Sequence, residues 1–503
     1  MKKNIFIQLL ILIAIVVVVN LIANKLYFRL DFTSDQRYTL SNATENILEN
    51  LDDVVSIKAY FSEDLPPQLL SNRQDFQDLL IEFENRSSGS VVYQFVNPSE
   101  NEVTESEAQG QGIQPIVINV TDRDQIQQMR AYMGAVIQMA DRTEVIPVIQ
   151  PGAAMEYDLT TAIKKISIVD KPKIGFIQGH GEPGIEACAQ LSQQLNVLYT
   201  VEPYTISEEQ IPATYKALAI IDPQDTIPPD HFNKIQQYMQ LGGSVFVSFS
   251  PVIGDLQTQT PMLRKAPEVG LKPWLSSNGV TVGDSFVVDA QCGRISVRQR
   301  FGAFGYVNSQ VQFPYFPVVT NFGEHSISSG LESLRMPFVT NLTINNSDSS
   351  RRVIPLAMTS ENTGLVPSGR MIDVEKKWEQ SDFPLSSEIL AAAIENPSGS
   401  RLVIIPNGQF VVNGAPGQNQ QQLNPDNINF ASNAIDWLSD DTGLIDLRTK
   451  GVTSRPLPQL EDATRNTLKY GNVFAPILLI LIYAFVRKQA NSRRRSKWMQ
   501  GEY

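Results

Sequence analysis

The chain has 503 residues, 42% hydrophobic and 19% charged, proportions that suit two or three folded domains and exclude wholesale disorder. Its formal charge of −12 is uneven: Lys2 and Lys3 at one end, and six basic residues against Glu502 from Arg487 onward, leave −19 on residues 4–486. Such a body repels nucleic-acid phosphates. Cys188 and Cys292 are too few for a disulfide framework or a four-cysteine zinc site, and whether those two pair depends on their distance in the fold. Three histidines are likewise few for a metal enzyme, so neither metal nor cofactor is expected.

Residues 5–23 are apolar apart from Gln8 and Asn20. As a helix they would extend about 28 Å, close to the hydrocarbon thickness of a bilayer. A cleavable signal peptide shares the Lys2-Lys3 start, but the apolar region is long and no small-x-small site precedes Tyr27, so an uncleaved anchor is expected.

A first domain is expected over residues 36–168. Thr39-Leu40-Ser41 reads as a cap for a helix over 43–51, and 54–61 alternates as a strand. Residues 75–85 place Phe76, Leu79, Leu80 and Phe83 on one helical face. Strands follow at 91–96 and 115–120 around a short helix at 102–109. A hairpin over 131–149 turns at Asp141, and a helix over 157–168 carries Leu159, Ile163 and Ile166. This β-α-β-α-β-β-α order resembles the thioredoxin-like fold. The resemblance implies a cis-proline before the third strand, for which Pro115 is the candidate; a plain strand-initiating proline is the alternative. The loop at 62–67 has no cysteine, so disulfide exchange is excluded and a binding or assembly module is expected.

The second domain, 171–450, opens on KIGFIQGHGE at 173–182, an apolar strand ending in Gly179-His180-Gly181-Glu182. A strand that stops at a glycine-rich turn before a helix opens an α/β domain, and ligands gather at such junctions. A helix at 186–195, strands at 197–203 and 217–221, a helix at 231–240 and a strand at 244–250 imply a mostly parallel sheet covered on both faces. Residues 291–350 mix Gly, Pro, Ser and aromatics and read as an irregular insertion, with a lobe that carries its own hairpins as the alternative. Strands return at 354–359 and 401–406, with a helix at 429–438. A polar linker, 451–470, leads to a second apolar segment at 471–487 and a basic tail at 488–503, whose charges mark a membrane stop. Both termini are then expected in the cytoplasm and the main body on the far side of the membrane.

Residues 174–176 before Gly179-His180-Gly181-Glu182, Tyr238-Met239-Gln240-Leu241-Gly242-Gly243 before a strand, and residues 401–413 with Asn433-Ala434-Ile435-Asp436-Trp437-Leu438 together resemble one family. It is the auxiliary component of ABC transport systems first tied to bacterial gliding motility, and the resemblance spans nearly the whole chain. It implies an ABC permease and a cytoplasmic ATPase as partners. It also implies a flavodoxin-like second domain, similar to class I glutamine amidotransferases and to a domain of intraflagellar transport proteins.

An amidotransferase needs a cysteine nucleophile on a tight turn after a strand; here that turn reads Ser250-Pro251. Cys188 sits among Ala187, Ala189 and Leu191 and reads as an inert core residue, while Cys292 has no histidine partner in the sequence. His180 and Glu182 could ligate a metal or act as an acid–base pair, yet two ligands do not make a site. The plainer reading makes Gly179, His180, Gly181 and Glu182 a structural or binding turn, glycine permitting positive φ while His180 and Glu182 bond nearby backbone. His231 and His325 read as surface or capping residues. No G-x-x-x-x-G-K-[ST] sequence occurs, so ATP hydrolysis would belong to a partner. The expectation is a non-enzymatic, membrane-anchored transporter subunit that touches lipid and binds a ligand, an envelope protein or a glycan. The alternatives are an extracytoplasmic hydrolase using His180 and Glu182, and a membrane scaffold without a transporter.

Overall fold

The computed structural model describes residues 39–440 apart from 64, 66, 123–124, 150–153, 169, 257–259, 301–305, 346–349 and 418–419, together with 469, 483–485, 487–489 and 491–492. The expected segment 5–23 lies outside the described residues, as do the expected linker 451–470 apart from 469 and most of 471–487 and of the tail beyond it. Among the described residues no helix is long and apolar enough to cross a membrane.

The first lobe begins with helix α1 (Asn42–Glu49), whose first turn is capped by Ser41 accepting from the Thr44 amide at 3.1 Å. Strand β1 (Val55–Phe61) leads to α2 (Pro67–Arg86), β2 (Val91–Val96) and α3 (Glu102–Gly110). A two-stranded ribbon follows, β3 (Ile116–Asp122) with β4 (Gln125–Ala131), then β5 (Met133–Met139), β6 (Arg142–Ile146) and α4 (Ala154–Ser167). The sheet order is β2-β1-β5-β6, with β1 and β2 parallel and the remaining pairs antiparallel. Alternate residues of β1 explain its place: Val55, Ile57, Ala59 and Phe61 are buried against Phe76, Leu80 and Phe83 of α2 and Leu159 and Ile163 of α4. The Glu156 carboxylate ties α4 to α1, accepting from the Ser41 amide at 2.8 Å and the Thr44 hydroxyl at 2.7 Å.

Pro115 corrects one expectation: its peptide bond is trans. It leads into the ribbon strand β3, whereas β5 takes the place beside β1 in the sheet. At a strand's first position a missing N–H disturbs no ladder. Strand β4 is absent from the sequence reading because QIQQMRA has no apolar alternation.

In the second lobe, β7 (Lys173–Gln178) is followed by a 3₁₀ turn (Ile185–Cys188), α5 (Ala189–Leu195), β8 (Thr200–Thr205), β9 (Tyr215–Ile221), α6 (Pro229–Gln240) and β10 (Ser244–Ser248). After a hairpin of β11 (Val252–Asp255) and β12 (Met262–Lys265) come α7 (Leu271–Ser277), β13 (Val280–Val282) and β14 (Ser285–Asp289). The expected insertion 291–350 carries β15 (Cys292–Arg300), β16 (Tyr306–Val319), β17 (Asn321–Phe322), β18 (Leu334–Arg335) and β19 (Leu342–Ile344), with β15 and β16 paired antiparallel as a hairpin of its own. Its polar residues interrupt the alternation a strand would display; the β15–β16 hairpin orders its first half, and β17 and β19 pair with strands outside the segment. The chain continues through β20 (Arg352–Met358), β21 (Thr363–Pro367), β22 (Ile389–Glu395) and β23 (Arg401–Ile405) to α8 (Pro425–Ser439).

Strands β8-β7-β9-β10-β23 pair parallel in that order, and β22 joins β23 antiparallel. Both faces are covered: Phe176, Ala219 and Phe246 share one core with Leu191 of α5 and Phe430 of α8, while Leu218, Val245 and Val247 share another with Ile235 of α6 and Leu275 of α7. Their unbroken apolar runs follow from this double cover. The first strand, β7, lies between the second and third, so the chain reverses direction across the sheet there. In open α/β sheets ligands bind outside the carboxyl ends of strands at such a reversal.

Candidate functional site

The turn after β7 closes on itself. Gly179 and Gly181 take φ of 112° and 76°, a region that side chains with a Cβ avoid. Glu182 then folds back: one carboxylate oxygen accepts from the His180 amide at 2.6 Å, and the other lies 2.9 Å from His180 Nδ1. The His180 carbonyl accepts the amides of Gln224 and Asp225 at 3.0 and 2.8 Å, pinning this turn to the end of β9. His180 and the side chain of Glu182 are buried.

His231, read from sequence as a surface or capping residue, belongs to this cluster. Its Nδ1 lies 2.8 Å from His180 Nε2, with the rings edge to face. Glu182, His180 and His231 thus form one hydrogen-bonded row. Two imidazole nitrogens so close share one proton comfortably and two badly. Burial, with help from His180 and Lys234, holds His231 below the usual imidazole range. Pro228 places it there, starting α6 with the turn that aims His231 at β7. Among the described residues no group of three or more His, Cys, Asp or Glu could hold a metal ion.

Beside this row is a cleft of about 700 Å³ at the carboxyl ends of β7, β9, β10 and β23. Gly181 lines it, but His180 and Glu182 do not; its floor is Asp222, the residue after β9. Asp222 is buried at φ 45°, a backbone state Asp visits only at a cost. Its carboxylate takes the Gln409 Nε2 donor at 2.5 Å, and its backbone amide donates to Ser248 at 2.7 Å. Gly408 completes the fit, since a Cβ there would stand 1.8 Å from Asp222 Oδ1. Burial pushes the Asp222 carboxyl above the usual carboxylate range, against the opposing pull of Gln409, Ser250 and Gln224. Sequence reasoning missed Asp222; the available signal was an acid directly after an apolar strand, in Ile221-Asp222-Pro223.

The Ser250 hydroxyl, on the turn after β10, accepts the Gly408 amide at 2.9 Å. Cys188 and Cys292 are both free thiols. Burial pushes the Cys188 thiol up to about 12, with Asp222 adding to the effect, so it is a poor nucleophile at neutral pH. Cys292 is half-buried and also raised. His325 packs edge to face on Trp437 of α8 and accepts the Ile327 amide at 3.2 Å.

Comparison with known proteins follows the same division of the chain. Residues 171–440 match a family model described as an ABC-type uncharacterized transport system, and residues 34–138 match a domain of unknown function. An uncharacterized protein of Borreliella burgdorferi is 20% identical over 492 residues, covering 92% of this chain and 93% of that protein. Among solved structures, the mmIFT52 N-terminal domain aligns over 53% of this chain and 97% of its own, at 14% identity and a TM-score of 0.34. A putative ThuA-like protein from Parabacteroides merdae aligns over 58% and 94%, at 12% identity and a TM-score of 0.29. PurLQS from Thermotoga maritima aligns over 53% and 99%, at 10% identity and a TM-score of 0.21.

Proposed function

This chain belongs to the family described as an ABC-type uncharacterized transport system, and on that premise we propose that it is a membrane-anchored auxiliary subunit of an ABC transporter whose outer body binds a ligand. Residues 5–23 and 471–487 would be the anchors and the basic tail the cytoplasmic end; their apolar sequence and flanking charge support this reading. A permease and a cytoplasmic ATPase would be the partners, and the gliding-motility-type branch of such systems is the narrower assignment. The first lobe would be a thioredoxin-like module, a reading supported by its β2-β1-β5-β6 order, and the second a flavodoxin-like or amidotransferase-like domain, supported by β8-β7-β9-β10-β23. The observation that carries the ligand-binding part is the cleft at the reversal point of that sheet, with Asp222 on its floor.

The proposal is binding without turnover. His180 Nε2, the nitrogen a catalytic base would present, is engaged by His231, and the Ser250 hydroxyl is engaged by Gly408. A hydrolase reading draws on the same Glu182–His180–His231 row. Alanine at both His180 and Glu182 separates the two: loss of a hydrolytic activity with the complex intact would favour the enzyme. The main test is purification of the full chain from solubilised membranes. Permease and ATPase subunits are expected with it, and recovery of the chain alone would overturn the transporter assignment.

A further inference from the structure

The cleft's lining has a chemical bias. Asp222 and Glu186 are its acids, and among the described lining residues there is no Lys or Arg. In the adjoining recess, Arg264 and Lys265 are engaged by Asp255 and Asp284 at 3.5 and 3.0 Å. Asp222 therefore presents a buried carboxyl group, held by amide and hydroxyl donors, with no basic side chain set against it in the cleft. Such a group is costly to bury and favours an incoming cation over any anion.

A second strained residue stands on the wall. Phe338 takes φ 53°, and its ring lies over Gly254, where an added Cβ would come within 2.1 Å of it. Asp222 and Phe338 are thus two of five described non-glycine residues with positive φ, and both line this one cleft. Strained backbone concentrates where a site must hold side chains in place. Val252, Val412 and Pro183 make the surrounding wall apolar.

We propose that the cleft binds a small organic amine, its ammonium group against Asp222 and its apolar body along Phe338, Val252 and Val412. This rests on the ligand-binding reading above and gives it a chemical class. The surface is shaped for a compact apolar body with one cationic end; phosphates and carboxylates would meet the like charges of Asp222 and Glu186.

The test uses the full chain in lipid nanodiscs and three probes of one shape, benzylamine, benzyl alcohol and benzoate, with affinities from saturation-transfer NMR. Benzylamine is expected to bind at least tenfold more tightly than benzyl alcohol, with benzoate weaker still. D222N should erase the advantage of the amine, because it removes the charge and keeps the shape, and Asn tolerates positive φ. I253W, which fills the cleft from the 38% exposed Ile253, should abolish binding of all three and so locate it. If benzyl alcohol binds as tightly as benzylamine, or D222N leaves the preference unchanged, the amine proposal is overturned while the cleft stands as a ligand site. If no probe binds in a way that I253W abolishes, the amine proposal and the cleft as its site both fall. Copurification of permease and ATPase reads the transporter assignment separately.

Discussion

Asp222 and His325 answer to pH in opposite senses. For Asp222 the folded state holds its proton more tightly than the unfolded chain, so burial of the charge destabilises the protein at neutral pH, and that penalty fades as pH falls through the folded value toward the ordinary one near 3.8. D222N should therefore match or exceed the wild type in Tm at pH 7, by about 1–3 °C, with the difference vanishing near pH 4. A clear loss of Tm at pH 7 would count against a destabilising buried charge at this residue. His325 is held down to about 4, chiefly by burial. The unfolded chain takes up that proton near 6.5 while the folded site resists, so stability drops as pH falls from 6.5 to 4 and levels off below. This site should account for about 2–3 kcal/mol of that loss, and urea titrations of H325F should show a correspondingly shallower decline. Neither property was legible in sequence: an acid after an apolar strand and a loop histidine look ordinary until the neighbouring elements bury them.

At the scale of elements, the contact between the β7 turn and the first turn of α6 is the joint beside the cleft. H180A would leave the buried Glu182 side chain without its imidazole hydrogen-bond partner and should cost about 2 kcal/mol. H231A sits closer to solvent and should cost about 1 kcal/mol. The double variant should lose less than the sum, with a coupling of about 1 kcal/mol or more in denaturant unfolding. Strict additivity would mean that the His180–His231 hydrogen bond adds nothing to the joint. The Gly-His-Gly turn was readable from sequence because positive φ selects glycine. Its partner was not, since 51 residues separate His180 from His231 and only the β7–β8–β9–α6 path brings them together. Strand β22 has no counterpart in the sequence reading for a similar reason. The Ala391-Ala392-Ala393 run within β22 has high helical propensity, yet it is a strand because β23 and β20 pair with it on either side.

For the whole molecule, the uneven charge makes a topological prediction. Reporter fusions at both ends should be active only in the cytoplasm, and protease should reach the body between the two apolar segments only from outside the membrane. Protection of that body in intact spheroplasts would reverse the orientation. Periodicity, turn residues and charge in the sequence by themselves determined the α/β class, strand β7 and its turn, the apolar segments and the acidic body. Those properties depend on local backbone preference and on counting charge. Only the tertiary structure decided that Pro115 opens a side ribbon, that β17 and β19 pair outside the segment 291–350, and that Asp222, Ser250, Asn407 and Gln409 converge on one cleft. Strand pairing and burial join residues far apart in the chain, and a local pattern carries no record of which distant segment will lie beside it.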